Sequence, residues 1–339
     1  MSHAELARTA RAMVVDGKGI LAADESTGTI TKRLEALGID STEESRRRYR
    51  ELLLLAPGVE QHISGAILYN ETIRQADSEG TPFPDALRER GILTGIKVDT
   101  GAKPLAGAPE ETVTEGLDGL RERLAEYHEL GARFAKWRAV LSIGDHRPGR
   151  ACVAANAHAL ARYAALCQEA GIAPIVEPEV LTEGEHSLER CAEVTESVLR
   201  AVFDALAEQE VVLEGMVLKP NMVIAGTGRP QQATEEQVAS ATLCSLRRVV
   251  PAAVPGIAFL SGGQGADKAT AHLQAMAERG PHPWQLTFSY GRALQDDAMA
   301  AWAGEEARFA DGREALLRRA RANGAARDGR WAGDRELVA

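Results

Sequence analysis

Short apolar runs that end in acid, lysine, hydroxyl or glycine recur along the chain. They are KGILAADES (Lys18 to Ser26), ISGAILYNE (Ile63 to Glu71), LTGIKVDTG (Leu93 to Gly101), ARFAKWR (Ala132 to Arg138), APIVEPEVL (Ala173 to Leu181), GMVLKPNM (Gly215 to Met222), GIAFLSGG (Gly256 to Gly263) and QLTFSYGR (Gln285 to Arg292). Each has strand length. The segments between them carry helical periodicity, most clearly Glu115 to Leu130, Ala151 to Ala170, Ser187 to Gln209, Glu235 to Val250 and Ala266 to Arg279. Strands alternating with such helices imply parallel pairing through crossover connections. Eight units of this kind predict one (β/α)8 TIM barrel domain over residues 1–339, of the α/β class, with an extra helix at the amino terminus. A last helix is predicted near Glu305 to Ala322, and the Gly- and Arg-rich remainder, residues 323–339, is predicted to be a flexible tail.

A length of 339 residues is compatible with a single large barrel or with two domains, so the repeating pattern decides between them. A hydrophobic fraction of 45% and a charged fraction of 26% describe a globular chain with an ample core. The net charge of -10 argues against nucleic acid as a partner, so an anionic substrate must be drawn in by local cations. Cys152, Cys167, Cys191 and Cys244 are scattered, with no C-x-x-C pair, which predicts reduced thiols and a cytoplasmic setting. The start, MSHAELARTARAMVVDGKG, mixes both charge signs and lacks the apolar core of a signal peptide. No apolar run approaches a membrane span, so no membrane partner is expected.

The candidate chemistry gathers on Lys219 in EGMVLKPNMV. Pro220 disfavours helix at the preceding residue and removes a ladder donor, placing Lys219 at the carboxyl end of a strand. Burial and a nearby cation lower a lysine pKa, and a neutral amine attacks a carbonyl to give a Schiff base. Side chains two apart on a strand share a face, which pairs Lys136 with Arg138, Glu177 with Glu179, and Lys97 with Asp99. With Asp24, all of these fall at one end of the predicted barrel, the end where this fold places its active sites. Glu177, among apolar neighbours, is expected to have a raised pKa, whereas Asp24 is expected to stay ionised beside Lys97 or Lys136. SGGQG (Ser261 to Gly265) opens a helix and SYGR (Ser289 to Arg292) adds a guanidinium, two candidate phosphate seats after the last two strands. The eight histidines show no metal-ligand spacing, so neither a catalytic metal nor a cofactor is expected.

With LAADEST, GIKVD, AKWR, IVEPE, VLKPNM, FLSGGQ and SYGRALQ in order from Gly19 to Gln295, the chain resembles the class I fructose-bisphosphate aldolases. The resemblance implies cleavage of fructose 1,6-bisphosphate to dihydroxyacetone phosphate and glyceraldehyde 3-phosphate, with sugar phosphates as the small-molecule partners and a homotetrameric assembly. It makes Lys219 the Schiff-base lysine, Asp24 the base for bond cleavage and Glu177, with Glu179 beside it, the acid that dehydrates the carbinolamine. Lys136 becomes the cation that orients the ketose. Ser261, Gly262, Gly263, Ser289, Gly291 and Arg292 resemble the seat of the phosphate next to the ketone. Arg33, Lys97 and Arg138 resemble cations at the other end, with Ser26 and Thr29 offering hydroxyls nearby. The rivals are another imine-forming barrel, such as a transaldolase-like enzyme, and an inactive scaffold. Two phosphate seats on opposite sides of Lys219 argue against the first, and retention of Asp24, Lys136, Glu177 and Lys219 argues against the second. One departure stands out. Many relatives end in a tyrosine that exchanges the proton of the imine, whereas this chain ends in Ala339, and Trp331 is no base. The proton is expected to fall to Glu177, to the bound phosphate, or to a tail carboxylate such as Asp334 or Glu336.

Overall fold

The structure, a computed structural model, describes residues 2–333. Helix α1 (His3–Met13) opens the chain, closed by a reciprocal cap in which Ser2 and Glu5 satisfy each other's backbone amides. The strands follow as β1 (Gly19–Ala23), β2 (Ile63–Leu68), β3 (Leu93–Lys97), β4 (Gly101–Leu105), β5 (Ala108–Glu115), β6 (Phe134–Leu141), β7 (Ala173–Val180), β8 (Val217–Leu218), β9 (Gly256–Phe259) and β10 (Gln285–Tyr290). All but β4 and β5 close a parallel barrel in the order β1-β2-β3-β6-β7-β8-β9-β10, with β10 returning to β1. This is the (β/α)8 barrel that the eight apolar runs predict, and each run supplies one barrel strand.

The interior is filled from the strands and sealed at one end by α1. Ile20, Ala22, Ile67, Phe134, Ala173, Ile175, Val217 and Ala258 form one buried cluster with Ala10, Met13 and Val14 from α1 and its exit. The extra helix thus caps the amino-terminal mouth, leaving the opposite mouth for polar groups. Phe134 needs unusual room: a Cβ placed on Gly95 would overlap its ring, and one on Gly65 would lie 2.9 Å from it. Two glycines on neighbouring strands therefore make the space for one aromatic ring, whose full burial contributes about 2 to 3 kcal/mol.

The surrounding helices are α2 (Thr27–Glu35), α3 (Glu43–Leu54), α4 (Phe83–Glu89), α5 (Leu120–Glu129), α6 (Arg150–Glu169), α7 (Leu188–Glu208), α8 (Glu235–Val249), α9 (Ala266–Ala277), α10 (Arg292–Trp302) and α11 (Phe309–Arg327). None among the described residues is long and apolar enough to cross a membrane. Three elements differ from the sequence reading. The antiparallel hairpin β4–β5 was not expected, and it takes Glu115 from the predicted fifth-helix segment, which starts only at Leu120. Strand β8 is only Val217–Leu218, because Pro220 cannot donate; its carbonyl nevertheless accepts from Leu260, and Lys219 still donates to Val176. Helix α11 continues through residues 323–327, so the predicted tail begins five residues later than expected. Asn323 is fully buried and accepts a 2.8 Å hydrogen bond from Thr270, which is why the Asn-Gly pair does not end the helix. Asp334 and Glu336 lie outside the described residues.

Candidate active site

At the carboxyl mouth the register sets charged residues side by side. Lys97 at the end of β3 pairs with Lys136 on β6, and Arg138 two residues on pairs with Glu177 on β7. Lys219 follows β8 at once, and its backbone N–H, donating to Val176 at 2.8 Å, keeps it in line with β7. Asp24 and Glu25 follow β1 directly. The result is a cleft of about 300 Å³.

Lys219 Nζ lies 3.2 Å from one oxygen of Glu177, and Lys136 Nζ lies 3.3 Å from the other. Lys136 also holds Asp24 at 2.8 Å. Lys136, Glu177 and Lys219 are each under 5% exposed, and Asp24 is partly buried. A buried group without compensation would neutralise itself, so the pattern of partners decides the charges. Burial pushes the Asp24 carboxyl up, but Lys136 and then Lys219 overcome it and bring its pKa down to about 2. Asp24 is therefore ionised, as expected. For Lys136, burial alone would lower the pKa, and Asp24 and Glu177 more than reverse it.

Glu177 corrects the sequence reading. Burial does push its pKa up, but Lys136, Lys219 and Arg138 outweigh burial and hold it below the usual value. Its Oε2 makes no directed hydrogen bond among the described residues and is compensated by the Lys136 ammonium. The apolar neighbours on β7 were legible in the sequence; two ammonium groups arriving from β6 and β8 were not.

The remaining candidates separate into groups. Ser26, Thr29, Arg33, Lys97, Arg138 and Glu179 all line the cleft. Among them, Arg138 pairs with Glu179 at 2.5 Å, Lys97 lies 3.4 Å from Asp99, and the Ser26 and Thr29 hydroxyls bond each other at 3.1 Å. Ser261, Gly262, Ser289, Gly291 and Arg292 line it as well. The Ser289 hydroxyl is buried without a partner among the described residues. Gly263 is different: it lines a neighbouring cavity behind the Ser261–Gly265 loop and not the cleft itself. Arg33 is not free. It pairs with Glu25 and, at 2.8 Å, with Asp296, and it donates to Gln295 at 3.2 Å. Glu25, which also pairs with the buried Arg50 at 2.7 Å, was missed in the sequence, where it is simply the residue after Asp24. Among the described residues, no group of three or more His, Cys, Asp or Glu side chains is placed to hold a metal ion.

A buried lysine in contact with a carboxylate, at the catalytic mouth of a (β/α)8 barrel, defines a barrel enzyme that works through a lysine amine. The comparisons with known proteins specify which one. The family model described as fructose-bisphosphate aldolase class-I matches residues 5–339. The chain is 56% identical over 334 residues to a probable fructose-bisphosphate aldolase class 1 of Xanthomonas campestris, covering 98% of this chain and 100% of that one. It is 51% identical to fructose-bisphosphate aldolase C of Rattus norvegicus, covering 97% of this chain and 91% of that one. A crystal structure of fructose-bisphosphate aldolase from Plasmodium falciparum superposes with a TM-score of 0.96 at 49% identity, covering 97% of this chain and 96% of that one. The chain belongs to the class I fructose-bisphosphate aldolase family. Its activity is the reversible aldol cleavage of fructose 1,6-bisphosphate to dihydroxyacetone phosphate and glyceraldehyde 3-phosphate through a lysine Schiff base.

Proposed function

We propose that Lys219 is the lysine that forms the imine and that Glu177 serves it in two successive steps. The observation that carries this reading is the placement of one carboxylate between two ammonium groups, 3.2 Å from Lys219 and 3.3 Å from Lys136. Glu177 is held ionised while both cations are present. It takes a proton from the Lys219 ammonium, which frees the amine lone pair to attack the ketone carbon. Losing that positive charge beside it makes Glu177 a better base for holding the proton until an acid is needed. The attacking nitrogen gives one of its protons to the former carbonyl oxygen, making the carbinolamine hydroxyl; the proton held by Glu177 then passes to that hydroxyl, water departs, and an iminium remains. Asp24 removes the proton of the hydroxyl on the far side of the scissile bond; the carbon-carbon bond breaks, its electron pair neutralises the iminium to an enamine, and the aldehyde leaves. Lys136 keeps Asp24 ionised and stays charged throughout. Glu179 acts through Arg138, which it orients.

The phosphate beside the ketone sits on Ser261, Gly262, Ser289, Gly291 and Arg292, and the other phosphate meets Lys97, Arg138 and Arg33, with the Ser26 and Thr29 hydroxyls between. This arrangement accommodates both phosphates of the bisphosphate around Lys219. The whole chain acts as one barrel domain, in a cytoplasmic homotetramer, in keeping with the family resemblance and with relatives named cytosolic in Arabidopsis thaliana and cytoplasmic in Cicer arietinum. Light scattering tests the assembly. The Lys219→Ala variant tests the chemistry: it is expected to fold, bind phosphate and lose cleavage, and turnover retained by that variant would assign the imine to another amine.

A further inference from the structure

The loop from Ser261 to Gly265 has a shape it does not hold by itself. Gly262 and Gly263 both lie at positive φ, +55° and +77°, so two consecutive residues occupy the left-handed region. Its carbonyl groups are tied from behind. Thr182, just beyond β7, donates its hydroxyl to the Gly262 carbonyl at 2.7 Å. Gln264 donates its side-chain amide to the Ser261 carbonyl at 2.9 Å and lies 3.7 Å from the Met222 sulfur. The amides of Ser261, Gly262 and Gly263, by contrast, donate to no group among the described residues. A loop with its carbonyls pulled back and successive amides left over is an anion cradle.

Gln264 is itself fixed from α9. His272 Nδ1 lies 2.5 Å from Gln264 Oε1. Since the Gln264 nitrogen must face the Ser261 carbonyl, Oε1 must face the imidazole, and an amide oxygen only accepts. His272 must therefore carry its proton on Nδ1. The ring is 1% exposed, and burial followed by Lys268 pushes its pKa down to about 4, so it is neutral at physiological pH and Nε2 is bare. Among the described residues Nε2 has no partner, so the ring's one directed bond is the one to Gln264.

We infer that Gln264 and His272 are positioning residues that hold the Ser261 and Gly262 amides toward the phosphate next to the ketone. Neither side chain touches the substrate; they act through the loop. The inference rests on the reading of this loop as a phosphate seat. The test compares two ketones in borohydride inactivation, dihydroxyacetone phosphate and unphosphorylated dihydroxyacetone, by the concentration that half-saturates the rate. His272→Leu removes the donor to Gln264 and should raise that concentration about tenfold for the phosphorylated ketone, while leaving the unphosphorylated one within about twofold. His272→Asn, which can present an N–H near the position of Nδ1, should recover most of the loss. Equal losses for both ketones, or no loss for either, would overturn the inference. Arg292→Ala separates this failure from that of the seat: if Arg292→Ala weakens the phosphorylated ketone and His272→Leu does not, the positioning role alone falls; if Arg292→Ala has no effect, the seat itself is elsewhere.

Discussion

Replacing Asp24 by Asn removes a charge that its neighbours hold in place. The side chain keeps its shape, and Lys136 keeps Glu177 at 3.3 Å but loses its closer charged partner at 2.8 Å. The Asp24 pKa falls from 3.8 to about 2 on folding, against burial and because of Lys136 and Lys219. Lowering a pKa tenfold in acid strength, from one integer to the next, corresponds to about 1.4 kcal/mol, so the ionised form contributes about 2 kcal/mol at neutral pH. The pKa is depressed in the folded state, so this contribution is complete above 3.8 and is lost as pH falls through about 2. Urea melts of wild type and Asp24→Asn should therefore differ by about 2 kcal/mol at pH 7, and the gap should close between about pH 4 and pH 2. Cleavage, followed by coupling dihydroxyacetone phosphate to its reduction, should drop by about 10² to 10⁴, the range for a lost general base. A stability gap that widens on acidification would refute the electrostatic account. Cleavage within about tenfold of wild type would take the base role from Asp24.

Three further outcomes follow from the packing and the site. Gly95→Ala, whose Cβ would overlap the Phe134 ring, should destabilise the barrel by about 1 to 3 kcal/mol in denaturant melts, and an unchanged midpoint would mean the ring can move aside. Arg292→Ala should weaken dihydroxyacetone phosphate by about 2 kcal/mol in calorimetry, since a charge-assisted contact to phosphate is lost; unchanged affinity would move the seat. Removing residues 334–339, which hold Asp334 and Glu336, should slow cleavage by less than about tenfold, or under about 1.4 kcal/mol of transition-state stabilisation. A larger drop together with lost proton exchange into dihydroxyacetone phosphate would assign a catalytic group to that segment.

The barrel was legible because its eight strands are apolar runs with polar ends, and a parallel sheet covered by helices leaves that signature. The hairpin β4–β5 was not, since most of its residues, Lys103 and Glu110 among them, are exposed or half-buried without a two-residue alternation, so it resembles a polar loop. The site could be read where its residues sit two apart on one strand, as with Lys136 and Arg138. It could not be read where a partner comes from far along the chain. Arg50 is buried on α3 only because Glu25 waits for it beyond β1, and nothing in the run of arginines from Arg46 to Arg50 marks which one turns inward. The same limit explains Glu177: composition around it predicts an acid, and the geometry of two distant lysines makes it a carboxylate. The Asn323-Gly324 pair reads as a helix stop, yet both are packed within α11, where a Cβ on Gly324 would lie 2.7 Å from the Gly17 carbonyl oxygen.

The most direct measurement is reduction of the enzyme with borohydride in the presence of dihydroxyacetone phosphate, followed by peptide mass spectrometry. The account predicts one stable adduct per chain, on Lys219, formed in parallel with loss of cleavage and absent from Lys219→Ala. An adduct on Lys136 or Lys97, or complete inactivation with Lys219 unmodified, would contradict it.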